Sequence, residues 1–175
     1  MKITLAMVMS VDGKTTRGDE KNVRDWSSDE DQQHFQNLKN KSGVVIMGRK
    51  TYVVIKEKLN LSSSILRIVV TKNPEKFESS IVEGQLEFTS DTPNSIVSNL
   101  IARGYQNALL VGGHELNAGF LRAKLVNELI LTIEPVLFGK GLSLISNNLG
   151  EIRLQLINIH QLNQQGTLVC RYKTI

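Results

Sequence analysis

Cysteine is nearly absent from this sequence, with Cys170 the only one among 175 residues. A single cysteine excludes an internal disulfide framework and suits a reducing compartment, so we expect a cytoplasmic protein. The three histidines are scattered without ligand spacing, and no metal site is expected. No apolar run approaches the roughly 20 residues that cross a bilayer. The opening residues lack a small-residue cleavage site, so we expect a first strand there, not a signal peptide, and no membrane partner.

Aromatic residues are also scarce, at 5%, and positive charge is not concentrated in any segment. A nucleic-acid-binding protein more often has a basic face or stacking aromatic residues, so no nucleic-acid partner is expected. The net charge of +4 is modest and suits a small phosphorylated ligand. The length fits a single domain spanning residues 1–175.

Strand and helix patterns alternate along most of the chain. Strand patterns occur at 2–9, 42–48, 64–72, 84–90, 107–113 and 126–138, and helix patterns at 27–41, 49–59, 92–105 and 114–124. Two alternating runs, "EIRLQLINIHQL" and "TLVCRYKTI", then flank the turn residues "NQQG". This order predicts an α/β fold: a mostly parallel central sheet with helices on both faces and an antiparallel C-terminal hairpin.

Three predicted strand ends carry residues suited to anion binding. They are "VVIMGRKTY" at 44–52, "LRIVVTKN" at 66–73 and "LLVGGHEL" at 109–116. Parallel strands bring their carboxyl ends to one edge, where ligands of open α/β sheets bind and helix N-termini attract anions. Each segment alone could also be a tight turn or an exposed helix start. Neither a G-x-G-x-x-G fingerprint nor a P-loop is present.

Taken in order, these segments resemble the dihydrofolate reductase fold. Trp26, followed five residues later by Asp31, is similar to the stretch that carries that family's tryptophan and active-site acid. "MSVDGK" at 9–14 and "PVLFGKG" at 135–141 are more similar to the reductase domain of the bifunctional riboflavin-biosynthesis deaminase–reductase. The resemblance covers nearly the whole chain and implies a dihydrofolate-reductase-like fold.

The resemblance also implies NADPH as the hydride donor and a small molecule as the substrate. The cofactor-binding residues that it implies are Gly48, Arg49, Lys50 and Thr51 at the phosphates, Thr71 and Lys72 at the adenosine 2′-phosphate, and Gly112 and Gly113, joined by a cis peptide as in folate reductases, at the pyrophosphate and nicotinamide ribose. His114 and Glu115, which follow the glycines, are further candidates for cofactor contact, although His114 also fits a simple helix start. On the substrate side it places Met7, Asp12, Gly13 and Trp26. Met7 could equally be a core residue, and Trp26 could equally pack at the edge of the core.

Asp31 is the candidate catalytic residue, and two interpretations remain open. It could donate the proton that follows hydride transfer, in which case burial must raise its pKa. It could instead be one of three acids, with Asp29 and Glu30, that the helix dipole stabilises in the first turn. Solvent would then supply the proton.

The sequence departs from both families that it resembles. The arginine that holds the glutamate tail in folate reductases corresponds to Ile65, and "VVIKEKLNLSSS" at 53–64 replaces the riboflavin reductases' "D-D-P-x-L-T-V-R" stretch. No zinc-deaminase signature is present. We therefore expect an NADPH-dependent reductase of a small heterocyclic or ribosylamino-pyrimidine substrate, with dihydrofolate reductase activity and a non-catalytic nucleotide-binding module as alternatives. The resemblance further implies a homodimer, for which the apolar C-terminal strands offer an interface.

Overall fold

A computed structural model describes residues 1–20, 22–146 and 149–175. Its strands are β1 (Lys2–Ser10), β2 (Val44–Gly48), β3 (Leu66–Val70), β4 (Leu86–Thr89), β5 (Asn107–Leu110), β6 (Glu128–Glu134), β7 (Leu154–Gln161) and β8 (Leu168–Thr174). Its α-helices are α1 (Asp29–Ser42), α2 (Arg49–Ile55), α3 (Pro93–Ala102) and α4 (His114–Arg122). Short 3₁₀ helices occur at Val23–Asp25, Lys56–Lys58 and Pro74–Ser80.

The eight strands form one sheet in the order β4-β3-β2-β5-β1-β6-β8-β7. The pairs from β4 through β6 are parallel, whereas β8 pairs antiparallel with both β6 and β7. The predicted fold class is therefore confirmed. The sequence patterns showed the C-terminal hairpin but not that its second strand inserts beside β6, because that pairing joins segments far apart in the chain.

The core lies on both faces of the sheet, since successive strand residues point to opposite sides. On β2, Val44 and Ile46 pack on the face that α3 and α4 cover. Val45 and Met47 pack on the other face, with side chains of α1 and α2. This arrangement places helices on both faces, as the alternating patterns predicted.

The structure corrects several element boundaries. The strand predicted over 126–138 ends at Glu134, because Pro135 cannot donate to the sheet, and the chain then forms a loop. The weak helix predicted over 49–59 is an α-helix only to Ile55 and then continues as 3₁₀ helix. The 3₁₀ helix at Pro74–Ser80 was not predicted. Within the described residues, no helix combines the length and hydropathy that a membrane-spanning segment requires.

Candidate active site

A cleft of about 1530 Å³ opens at the carboxyl ends of the parallel strands. Residues at the ends of β2, β3 and β5, the second half of β1, and one side of α1 line it. This volume exceeds the roughly 300–1,000 Å³ of a pocket for a single drug-sized ligand. The cleft therefore has room for a dinucleotide together with a second small molecule.

Three of the predicted cofactor residues meet where β2 and β5 end. The Gly48 N–H donates to the Gly112 carbonyl oxygen at 2.7 Å, and the Gly112–Gly113 peptide is cis. Gly112 has φ 90°, which requires glycine, and a Cβ there would lie 3.0 Å from the Met7 sulfur, so the Met7 side chain would also have to move. Met7, predicted on the substrate side, lines the cleft.

Two helices begin at this junction without a side-chain cap. The N-cap residues of α2 and α4 are Gly48 and Gly113, and neither has a side chain to accept from the first-turn N–H groups. Arg49 and Lys50 are exposed on the first turn of α2 and line the cleft with Thr51. Uncapped N–H groups next to two cations form a site that favours an anion.

The end of β3 contributes the other predicted cofactor residues. Thr71 is buried, and its hydroxyl oxygen accepts from the Asn73 N–H at 3.3 Å. Lys72 is exposed at the rim of the cleft. On α4, His114 and Glu115 also line the cleft and lie 3.8 Å apart at Nε2 and Oε1. The structure thus brings nine of the ten predicted cofactor residues to the cleft lining, and the tenth, Gly112, lies in the chain between the lining residues Val111 and Gly113.

Asp31 lines the same cleft from the first turn of α1. Its side chain is 5% exposed, whereas Asp29 and Glu30 on that turn are exposed. The pKa of Asp31 is raised to about 6, first by burial and then by the Glu134 carboxylate, whereas hydrogen bonds with Thr132 and Ser27 act in the opposite direction. A carboxyl group with this pKa is partly protonated near neutral pH and can donate a proton.

The structure places Asp12 and Gly13 outside the cleft lining, in a turn after β1. The Asp12 carboxylate accepts from the Ser10 hydroxyl at 2.6 Å and from the N–H groups of Phe138 and Gly139 at 3.1 and 2.8 Å. These hydrogen bonds, with that from Ser10 first, lower the pKa of Asp12 to about 2. Asp12 therefore joins the "MSVDGK" turn to the "PVLFGKG" loop.

Trp26, predicted on the substrate side, does not line the cleft. Its ring packs edge-on against Phe138 at 5.0 Å and borders a separate small pocket of about 390 Å³ with Glu134 and Thr167. Trp26 precedes the Ser28 cap of α1, whereas Asp31 lies in the first turn of the helix and lines the large cleft.

Four further polar residues line the cleft or lie close to Asp31, and the sequence analysis did not assign them to the site. Thr132 and Glu134 are buried polar residues on β6, and Arg67 is a buried cation on β3. His34 lines the cleft one turn after Asp31, and burial lowers its pKa. The sequence did indicate Thr132 and Glu134, because "LILTIE" carries these two polar residues, two positions apart, in an otherwise apolar strand. Such spacing points both to one face of the sheet.

Three or more histidine, cysteine, aspartate or glutamate side chains do not cluster anywhere in the described part of the chain in a way that could hold a metal ion. The chemistry of the cleft is instead that of glycines, cations and one buried acid.

The sheet order, the glycine junction and the cleft together define a dihydrofolate-reductase-like domain. The chain belongs to the RibD C-terminal domain family, whose profile matches residues 1–168. This family comprises reductase domains, so at the level of the family the chain is an oxidoreductase similar to the riboflavin-biosynthesis reductases.

Similar proteins agree with this assignment. An uncharacterized Bacillus subtilis protein, YwjB, is 24% identical in an alignment of 168 positions that covers 93% of each chain. A protein of Shewanella sp. PV-4, provisionally described as a riboflavin biosynthesis protein, has a TM-score of 0.79 at 20% identity and covers 100% of this chain and 99% of its own.

A Thermotoga maritima diaminohydroxyphosphoribosylaminopyrimidine deaminase/5-amino-6-(5-phosphoribosylamino)uracil reductase has a TM-score of 0.75 at 17% identity. It aligns with 99% of this chain, which corresponds to 56% of that longer protein. At these identities the structural likeness shows the fold.

Proposed function

We propose that the protein is an NADPH-dependent reductase of a small heterocyclic substrate of the ribosylamino-pyrimidine type. The observation that carries the proposal is one cleft in which the uncapped glycine junction and the buried Asp31 face the same space. A cofactor and a substrate bound there would lie side by side, which supplies the proximity that hydride transfer needs.

The residues present fit NADPH. The first-turn N–H groups of α2 and α4, with Arg49 and Lys50, would hold its pyrophosphate, and Thr71 and Lys72 would hold the 2′-phosphate. When bound, NADPH supplies the hydride, and the protein contributes binding, orientation and electrostatics.

Asp31 supplies the proton in this proposal. Its carboxyl group faces the cleft and, at a pKa of about 6, carries a proton in a useful fraction of molecules near neutral pH. Thr132 holds the carboxyl group by a hydrogen bond and fixes its orientation. After the transfer, the ionised carboxylate can regain a proton from water at the mouth of the cleft.

Arg67 supports an anionic substrate. It lines the cleft, is 7% exposed, and donates to the carbonyl oxygens of Ile65 and Asn60 at 2.8 and 2.9 Å. A guanidinium has five N–H donors, so these two bonds leave others for a ligand. Ile65 is itself buried in the core and cannot hold the glutamate tail of a folate.

The test is NADPH oxidation with 5-amino-6-(5-phosphoribosylamino)uracil, compared with dihydrofolate as the alternative substrate. General acid catalysis contributes about 10²- to 10⁴-fold, so Asp31→Asn should lower kcat at least about tenfold while NADPH still binds. Asp29→Asn is the matched control, since it removes an exposed carboxylate from the same helical turn.

Three outcomes would contradict parts of the proposal. NADPH binding without oxidation of either substrate would favour the non-catalytic module. Turnover of dihydrofolate alone would replace the substrate class. Turnover of Asp31→Asn within a factor of two of the parent would assign the proton to solvent.

A further inference from the structure

Glu134 is a buried carboxylate that the proposed mechanism does not yet use. It ends β6, is 4% exposed, and lies on the same face of the strand as Thr132. Its Oε1 accepts from the N–H and the hydroxyl of Ser28 at 2.7 and 2.8 Å, and its Oε2 accepts from the Thr167 hydroxyl at 2.7 Å. Three donors on two oxygens make Glu134 an acceptor only, as an ionised carboxylate is.

These bonds connect Glu134 to the turn that carries Asp31. Ser28 is the N-cap residue of α1, and its hydroxyl oxygen accepts from the Asp31 N–H at 3.2 Å. Thr132, two residues before Glu134, is a hydrogen-bond partner of the Asp31 side chain. The last three residues of β6 therefore hold both the backbone and the carboxyl group of Asp31.

Through Thr167, Glu134 is also connected to the hairpin turn between β7 and β8. Asn163 donates to the Thr167 hydroxyl at 2.9 Å and accepts from the Thr167 N–H at 3.0 Å. Glu134 thus joins the start of α1 to an element that lies outside the cleft. A serine N-cap needs no buried carboxylate behind it, since α3 is capped by Thr92 with only the exposed Ser95 beside it.

We propose that Glu134 is a positioning residue for Asp31: it fixes the first turn of α1 so that the Asp31 carboxyl group faces the cleft, and its negative charge favours the protonated form of that group. The charge acts in the required direction, since a neighbouring carboxylate disfavours ionisation. The catalytic part of this inference rests on the proposed function, whereas the electrostatic part does not.

Other titratable or charged side chains line the cleft with Asp31 and contribute to the electrostatic environment of its carboxyl group. They lie on α1 (His34, Lys39), on α2 and the 3₁₀ helix after it (Arg49, Lys50, Lys58), on and after β3 (Arg67, Lys72, Lys76) and on α4 (His114, Glu115). Burial is the main cause of the raised pKa of Asp31, and the charge of Glu134 adds to it. Its removal should therefore change that titration while changes at remote carboxylates do not.

The first measurement is the titration of the Asp31 carboxyl carbon by NMR, assigned with Asp31→Asn. Glu134→Gln keeps the size and an acceptor for Ser28 but removes the charge, so the Asp31 midpoint should fall by roughly 0.5–1 pH unit. Glu128→Gln is the control, because Glu128 begins the same strand, pairs with Lys2 and Arg171, and lies six residues away. An unchanged midpoint in Glu134→Gln would overturn the inference.

The second measurement is the pH dependence of kcat. A reaction that needs protonated Asp31 slows as pH rises through its pKa, so the alkaline limb should move to lower pH in Glu134→Gln by the same amount. Glu134→Asp keeps the charge but is one methylene too short to span Ser28 and Thr167. In Glu134→Asp the alkaline limb should lie at the same pH as in the parent, while kcat stays severalfold below that of the parent. A lower kcat with an unmoved limb in Glu134→Gln would show a merely structural role.

Two further results keep the inference separate from the proposed function. If the parent oxidises no NADPH, the reductase assignment fails, but the carboxyl titrations still decide the Glu134–Asp31 coupling. If Glu134→Gln does not fold, Ser28→Ala tests the same link from α1: it removes a donor to Glu134 and the cap on the Asp31 N–H, so the first turn is held less tightly and the Asp31 midpoint should fall. An unchanged Asp31 midpoint in Ser28→Ala would overturn the inference.

Discussion

At the scale of single residues, Asp29 and Asp31 show how position on one helical turn separates two chemically identical side chains. Asp29 is exposed and adds negative charge at the N-terminus of α1. Asp31 points under the helix to β6 and is buried. The dipole contributes only about 0.3–1 kcal/mol at the surface, which is less than one pKa unit, so desolvation dominates at Asp31.

The raised pKa of Asp31 predicts a stability that falls as pH rises. The native state binds its proton more tightly than the unfolded chain, whose carboxyl has the ordinary value of 3.8. Between those two values the native state holds more protons, so stability decreases from about pH 4 and levels off above about pH 6, by about 3 kcal/mol in all.

Asp31→Asn should remove this dependence. In urea unfolding from pH 4 to 7.5, the free energy of unfolding of Asp31→Asn should increase relative to that of the parent as pH rises. That of Asp29→Asn should change with pH as the parent's does. A parent and an Asp31→Asn variant with parallel curves would mean that Asp31 is ionised in the native state throughout.

Lys72 predicts the choice between cofactors. A hydrogen bond to a charged group contributes about 1.5–3 kcal/mol, so NADPH should bind roughly 10- to 100-fold more tightly than NADH. Lys72→Ala should remove most of this preference and leave NADH affinity unchanged, as measured by titration calorimetry. Lys56→Ala is the charge-matched control, since Lys56 pairs with Glu57 and does not line the cleft. Equal affinities of the parent for both cofactors would refute the assignment.

At the scale of elements, two loops distant in sequence form one unit beside the cleft. The turn after β1 and the loop after β6 are joined by Asp12 and by hydrogen bonds that connect Thr15 and Thr16 with Leu142. Both threonines and Leu142 line the cleft. The two glycine-containing motifs that suggested the family are therefore the two halves of one structural device.

Gly141 is the position where this unit tolerates no side chain. Its φ is 146°, and a Cβ would overlap the Thr16 carbonyl oxygen. Overpacking and a strained φ each cost about 1–3 kcal/mol, so Gly141→Ala should lower the free energy of unfolding by about 3 kcal/mol. Gly150→Ala, where a Cβ meets nothing within 4 Å, is the control. Equal urea midpoints for the two variants would show that the loop can move away.

At the scale of the whole molecule, the two edges of the sheet differ. Edge strand β4 has four residues and carries Glu87, which pairs with Arg103 at 2.8 Å. Edge strand β7 has eight residues, all exposed, with no Lys, Arg, Asp or Glu. A long uncharged edge with exposed apolar side chains is a site for strand pairing.

We propose that β7 pairs antiparallel with β7 of a second copy, since a two-fold axis would satisfy the open backbone groups of both strands. Light scattering should give twice 19.5 kDa. An unpaired ammonium buried at an interface costs more than about 1.4 kcal/mol, so Ile159→Lys should weaken the dimer at least about tenfold. Ile101→Lys on α3 is the control, because both isoleucines are 53% exposed. A parent of monomer mass at micromolar concentration would exclude this dimer.

The alternation of strands and helices and the three glycine- and cation-bearing strand ends could be predicted from the sequence alone. These features are local: a periodicity, a cap or a turn is set by residues a few positions apart. Because parallel strands align their carboxyl ends, that local information also brought nearly all of the predicted cofactor residues to one cleft.

Which polar residues are buried together depends on tertiary packing and could not be predicted. Asp29 and Asp31 lie two residues apart on one helical turn, and burial beside Thr132 of β6 raises the pKa of Asp31. Trp26 has a spacing similar to that in folate reductases but packs on Phe138, away from the cleft. Glu134 contacts Ser28 across 106 residues of chain and Thr167 across 33. Desolvation and long-range hydrogen bonds depend on neighbours distant in sequence, and no local pattern encodes them.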